Sequence, residues 1–152
     1  MKEILIKKTL IKRDKLIFNY SDIQDMIFSY ASKIGLHNSE VFLNTSASDY
    51  GYPYIEIKNN LYHLVVSERG KEVYRYTTKN IDELLYEFFS MKISTMSIKY
   101  ELEHRVENQD SRRIIFSRRI YLMSAMNPEW GEKMKREVSY ILSKNPYNDI
   151  VI

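Results

Sequence analysis

The chain contains no cysteine. That excludes a disulfide framework, thiolate metal ligands and a cysteine nucleophile, and it suits a reducing compartment. Glycine and proline are scarce, at four and three residues. No Gly-rich phosphate loop is present: GxGxxG, the Walker pattern and GxSxG are all missing. Long apolar runs are missing too. Ile4-Leu5-Ile6 is too short for a signal-peptide core, and no stretch approaches the ~20 apolar residues of a membrane span. Cytoplasmic residence without a membrane partner is therefore expected. A large excess of one charge is also lacking. The net charge is +3, from 23 basic and 20 acidic residues, which does not build a dedicated phosphate-binding surface.

What remains is a chain of 152 residues, 44% of them apolar. That length suits a single domain spanning 1–152, with enough apolar surface for a core. The first twenty residues mix apolar triplets with lysines and fit either an extended segment or a short helix. Ser21-x-x-Gln24 matches a capping box, and Ile23, Met26, Ile27, Tyr30, Ala31 and Ile34 make an apolar helical stripe ending at Gly35. Val41-Phe42-Leu43 reads as a short strand. Tyr54–Ile57, Leu61–Val66 and Val73–Tyr76 read as strands, joined by turn signals at Asn59-Asn60 and Arg69-Gly70.

Three helices follow, opened by Asn80, Asp110 and Asn127-Pro128. Ile114, Ile115, Tyr121 and Leu122 are assigned to the core from the second of these. Trp130, Met134, Val138, Ile141 and Leu142 form the buried face of the last, which Pro146 ends. The expected class is α+β: an N-terminal helix, a three-stranded antiparallel meander, then three C-terminal helices.

Catalytic chemistry finds little to work with. Asp49, followed by Glu56 and Lys58 on one face of a strand, resembles a PD-(D/E)xK nuclease fragment that holds a hard cation. A solvated strand face with one carboxylate beside one lysine explains it more simply. His37, His63 and His104 are scattered without ligand spacing. Thirteen tyrosines, with Tyr62, Tyr74 and Tyr76 near Lys71 and Arg75, raise nucleic-acid stacking. Half-buried sheet positions account for them better. No cofactor, small-molecule substrate or enzymatic activity is expected. A nuclease and a nucleic-acid-binding module stand as the alternatives.

Two polar features are denser. Glu68-Arg69-Gly70 sits between two strand patterns, with Glu72 and Arg75 on the outgoing strand. Asp110-Ser111-Arg112-Arg113 opens a helix with two cations at the positive end of its dipole. Arg118-Arg119 follow on the same helix. Such cations need partners: Glu68, Glu72, Glu101 or Glu103 could supply them in an internal network, which is the preferred reading for Arg112 and Arg113, or the surface docks an acidic partner.

These features, in this order, resemble the immunity protein 63 family of bacterial polymorphic toxin systems. The likeness runs through PYIEI at 53–57, ERG at 68–70, Glu72, Arg75 and Thr77-Thr78. It continues through Asp82–Tyr86, DSRRIIF at 110–116, the Trp130 region and Lys144-Asn145-Pro146. The resemblance implies a non-catalytic cytoplasmic protein that binds a cognate toxin domain. Tight inhibition rests on a few aromatic and arginine anchors. Tyr50, Tyr52, Tyr54, Arg69 and Arg75 are the expected partner contacts. Glu68, Glu72, Asp110, Arg112 and Arg113 are assigned to a structural polar network, and Trp130 to the fold.

Overall fold

The computed structural model describes residues 17–149. The reading of the chain's beginning as extended or helical therefore falls outside it up to residue 16. The order of elements is helix α1 (Tyr20–Ser32), strands β1 (Tyr54–Lys58), β2 (Leu61–Glu68) and β3 (Lys71–Thr78), then helices α2 (Ile81–Glu103), α3 (Arg112–Met126) and α4 (Pro128–Lys144). The strands form one antiparallel sheet in the order β1-β2-β3. This is the expected α+β arrangement of helix, meander and three helices.

The chain divides into two compact units. Among the described residues, one gathers 17–27 with Phe42–Leu85, and the other gathers Phe28–Val41 with 86–149.

In the sheet unit the hairpins arise from turn chemistry. Asn59 and Asn60 have φ of 55° and 58°, and Arg69 and Gly70 have 51° and 77°. Two successive positive φ values are what a tight two-residue hairpin turn requires. Asparagine and glycine tolerate that region; Arg69 occupies it at some strain. Ile55, Tyr62, Leu64 and Val65 are buried in the sheet, with Ile23 and Ile27 buried on α1. The Tyr62 hydroxyl accepts from the Phe18 amide at 2.8 Å, and the Tyr20 hydroxyl from the Ile57 amide at 3.0 Å. These bonds tie the entry of α1 to the sheet.

Two expectations in this unit need correcting. The cap of α1 is Asn19, whose Oδ1 accepts from the Asp22 amide at 2.8 Å. Ser21 lies inside the helix, and Gln24 instead accepts from the Leu43 amide at 2.6 Å. Residues 41–43 form no strand. Their backbone is committed elsewhere: the Val41 amide bonds the Asn38 carbonyl and the Leu43 amide bonds Gln24.

In the helical unit Trp130 is the centre. It is 2% exposed. Its ring lies 4.5 Å from Tyr30, 6.0 Å from Phe89 and 6.1 Å from Tyr86, centroid to centroid. The Tyr86 hydroxyl donates to Glu137 at 2.9 Å, satisfying the polar end of a buried ring. Burial, and then this carboxylate, push the Tyr86 phenol well above its ordinary range. Asn80 and Asn127 cap α2 and α4 as expected, whereas the N-cap of α3 is Ser111 and Asp110 lies one residue before it. Asn80 Oδ1 accepts from the amides of Asp82 and Glu83, and Asn127 Oδ1 from that of Glu129. Gly35 ends α1 with the paired bonds Leu36-to-Ala31 and Gly35-to-Ser32 of a Schellman motif. On α3 the core positions are Phe116, Leu122, Met123 and Met126, while Tyr121 points to solvent. On α4 they are Trp130, Met134 and Val138, and Ile141 is exposed. On α3 the buried stripe is displaced from the expected one, with Ile114 and Ile115 half-buried, and on α4 it is narrower, with Leu142 half-buried.

Gly131 shows why α4 tolerates a helix-weakening residue in its first turns. A Cβ there would meet the Ser124 backbone at 2.9 Å and the Ser124 side chain more closely still. The close approach of α3 and α4 therefore depends on a missing side chain. Gly131→Ala should destabilise by about 1–3 kcal/mol in chemical denaturation despite alanine's better helix propensity. A neutral or stabilising result would show that the helices separate freely at this point.

Candidate partner-binding face

One face of the sheet is a polar and aromatic surface. In a regular strand, residues three apart point to opposite faces. Between Val66 and Ser67 the register shifts from Val66↔Tyr74 to Ser67↔Glu72, leaving Val73 as an extra residue in β3. This bulge brings Glu72 round to the side of Arg75. Arg75 then donates to Glu72 Oε1 through Nε at 3.0 Å and Nη2 at 2.6 Å, and Nη1 lies 3.6 Å from Glu56. The guanidinium holds the Glu72 carboxyl below the usual carboxylate range. Val65, the register partner of both Arg75 and Tyr54, is fully buried.

Ahead of β1, the chain bends at Gly51, whose φ is +74°. Tyr50 pairs with Glu68 in an isolated antiparallel bridge, and its amide donates to Ser48 Oγ at 3.0 Å. A Cβ on Gly51 would sit 3.2 Å from Glu68 Cγ, so the Glu68 side chain lies against this turn. The result is a pair of outward rings. Tyr50 is 85% exposed and Tyr52 59% exposed, with centroids 6.3 Å apart.

Of the residues nominated as partner contacts, Tyr50, Tyr52 and Arg69 are open to solvent and Tyr54 is half-buried. Arg75 is engaged by two glutamates. Of those assigned to the polar network, Glu72 joins Arg75 and Glu68 supports the Gly51 turn.

The arginines at the start of α3 are held differently from the expectation. Arg112 bonds both carboxylate oxygens of Asp110, and donates to the carbonyls of Asn145 and Pro146, each at 2.9 Å. Arg113 bonds Asp149 bidentately at 3.1 and 3.0 Å and lies 4.3 Å from the centre of the Tyr147 ring. Asp110 also accepts from the amides of Arg112 and Asn148. The partners are thus Asp110, Asp149 and the carbonyls after α4, not Glu68, Glu72, Glu101 or Glu103. The cost of two cations at a helix N-terminus is offset by a clamp that fastens residues 145–149 to α3.

This clamp sets a pH dependence. Arg112, then the two backbone amides, hold the Asp110 carboxyl far below the usual carboxylate range. A depressed folded-state pKa stabilises the fold above the unfolded value of about 3.9, and the contribution is lost as pH falls through the depressed one. Asp110→Asn should therefore lower Tm at pH 7, and the gap to wild type should close progressively below about pH 4. Thermal melts across pH 2–7 check this, and a gap independent of pH would contradict it.

The remaining sequence candidates do not converge. Glu56 faces Arg75, while Asp49 and Lys58 lie exposed. His63 is bonded to Thr77 Oγ1 at 2.9 Å, and His104 stacks on Tyr100 at 3.9 Å. Among the described residues, no three His, Cys, Asp or Glu side chains come together as a metal site. No helix of the described residues is long and apolar enough to cross a membrane.

Glu101, Arg118 and Arg119 were legible as residues, but their three pairings went unread in the sequence. Glu101, 2% exposed on α2, is bonded bidentately by Arg105 at 3.0 Å. An i,i+4 Glu-Arg spacing was the available signal. Arg118 lies between the rings of Tyr100 and Tyr121, at 4.2 and 4.9 Å. Arg119 is half-buried, donates to Ser94 Oγ at 2.7 Å, and has its pKa lowered by desolvation.

A family model described as Immunity protein 63 matches residues 59–139, more than half of the chain. The matched span holds the Glu68–Gly70 hairpin, the arginines of α3 and Trp130; Tyr50, Tyr52 and Tyr54 precede it. No curated protein and no solved structure matches.

Proposed function

The chain belongs to the Immunity protein 63 family, and from that premise we propose that it neutralises a cognate bacterial toxin domain by binding it directly, without catalysis. The observation that carries the reading is the exposed Tyr50–Tyr52 pair, set on a glycine turn and backed by Glu68. Tyrosine gives a large contact area at low entropic cost, and two adjacent rings make the kind of anchor that dominates tight interfaces. Arg69, at the tip of the β2–β3 hairpin, adds a cation to the same unit. Arg75 sits between Glu56 and Glu72 and orders the sheet face. A partner contact there would have to keep those bonds.

The chain acts as one immunity domain in the producer's cytoplasm, within a polymorphic toxin system. The partner is a protein, not a small molecule or a nucleic acid. Bacteria expressing the toxin domain encoded beside this gene should survive when the chain is co-expressed and die when it is not. Equal killing with and without the chain would reject the reading.

A further inference from the structure

The two edges of the sheet are not equivalent. At β1 the outward amides of Ile55 and Ile57 are already taken, by the Asn44 carbonyl at 2.9 Å and the Tyr20 hydroxyl at 3.0 Å. A further strand cannot add there. These two bonds also fix the direction of the sheet's amides as far as the bulge at Val73. With Ile55 and Ile57 facing out, Tyr54, Glu56 and Lys58 face β2. Through the register Ile55↔Leu64↔Tyr76 and Ile57↔Tyr62↔Thr78, Leu64 and Tyr62 then face β3, and Tyr76 and Thr78 face back. The backbone N–H and C=O groups of Arg75 and Thr77 are left pointing away from the sheet.

Among the described residues β3 is the last strand on this side, and no backbone group pairs with Arg75 or Thr77 there. Lys71 to Arg75 are all exposed along it. Unpaired edges of this kind are templates for strand addition.

The charges select the occupant. Arg69, Lys71 and Lys79 lie exposed along this edge, and none is in an ion pair among the described residues. They oppose a second copy of the chain. A two-fold antiparallel register centred on Arg75 sets Arg75 against itself and Lys71 against Lys79. One centred on Tyr74 sets Arg69 against Lys79. Like charges directly opposite destabilise a strand pair. An acidic strand meets one carboxylate on β3, Glu72, and that one is already paired with Arg75.

We propose that an extended, acidic segment of the cognate toxin adds to β3 as a fourth strand. It bonds the free backbone groups of Arg75 and Thr77, and its carboxylates lie against Arg69, Lys71 and Lys79. This rests on the neutralisation reading above. It adds backbone hydrogen bonds to the affinity supplied by the tyrosine pair, and makes the cationic edge a source of selectivity.

The test is amide hydrogen exchange of the full chain, free and bound to the toxin domain of the neighbouring gene. The amides of Arg75 and Thr77 should exchange at least about 100-fold more slowly in the complex, as amides entering a ladder do. Thr77→Pro removes one outward donor while sparing the backbone β2–β3 ladder, and proline is tolerated at sheet edges. Because it also removes the Oγ1 bonded to His63, Thr77→Val, which loses that bond and keeps the amide, is its reference. The proline variant should keep the Tm of the valine variant and bind the toxin about tenfold or more weakly than it does. Toxin binding with unchanged exchange at Arg75 and Thr77 would overturn the proposal and leave neutralisation standing. No toxin binding at all would overturn both. The same protection in toxin-free protein, with a dimer in sedimentation, would assign the edge to a second copy and overturn the acidic partner.

Discussion

Trp130→Ala should destabilise the protein by about 3–5 kcal/mol, the largest loss expected from any one substitution. The reason is geometric. The indole is 2% exposed and shares the helical core with Tyr30, Phe89 and Tyr86. Removing it opens a cavity between three helices, and the rings left behind cannot all move to fill it. Ring-on-ring packing disappears together with the burial, and the two costs add. Domains are stable by only about 5–15 kcal/mol, so this one change consumes much of the margin. Denaturant midpoints measure it, and Val106→Ala, at an exposed position, should stay within about 0.5 kcal/mol. A loss below about 1 kcal/mol for Trp130→Ala would mean that the core lies elsewhere.

The double substitution Tyr50→Ala, Tyr52→Ala should leave stability nearly untouched and weaken toxin binding by about 10²–10³-fold. Interface anchors of this type cost about 2 kcal/mol or more each on truncation, and tenfold in affinity corresponds to about 1.4 kcal/mol. Both rings project into solvent, so little folding energy is lost with them. Gly51→Ala offers a separate perturbation. A side chain there would press on Glu68 at 3.2 Å and strain a φ of +74°, so the rings would be re-aimed while remaining present. Calorimetric titration distinguishes the cases. Wild-type affinity in the double variant would remove the tyrosine pair from the interface.

Much of the fold was legible because local chemistry and tertiary role agree. The meander rests on β-branched runs separated by two-residue turns, and Asn59-Asn60 and Arg69-Gly70 adopt the positive φ such turns demand. Asn80 and Asn127 cap helices for the same local reason. The errors came where distant groups decide. Ser21 and Asn19 are both good caps, and nothing local says that Gln24 will be claimed by Leu43. Val41-Phe42-Leu43 has strand composition, but its amides are satisfied by a turn and a side chain. Arg112 and Arg113 announced a need for partners through the helix dipole. That the partners include Asp149 and the carbonyls of Asn145 and Pro146 required the chain to return over more than thirty residues.

The candidate site was legible as residue types more than as a surface. Tyr50 and Tyr52 stood beside a glycine, and the glycine proved to be the bend that exposes them. Arg75 carries the same residue type as Arg69 but a different situation, because the Val73 bulge hands it Glu72. No strand periodicity anticipates a bulge.

The central claim is neutralisation by direct, non-catalytic binding, and its sharpest test is a titration of toxin activity at toxin concentrations well above the dissociation constant. If the chain acts as a stoichiometric inhibitor, residual activity should fall linearly and reach zero at a fixed whole-number ratio of chain to toxin, with no dependence on incubation time once mixed. Inactivation that proceeds at trace amounts of the chain and grows with time would contradict it, because only a turnover reaction on the toxin or its substrate behaves that way.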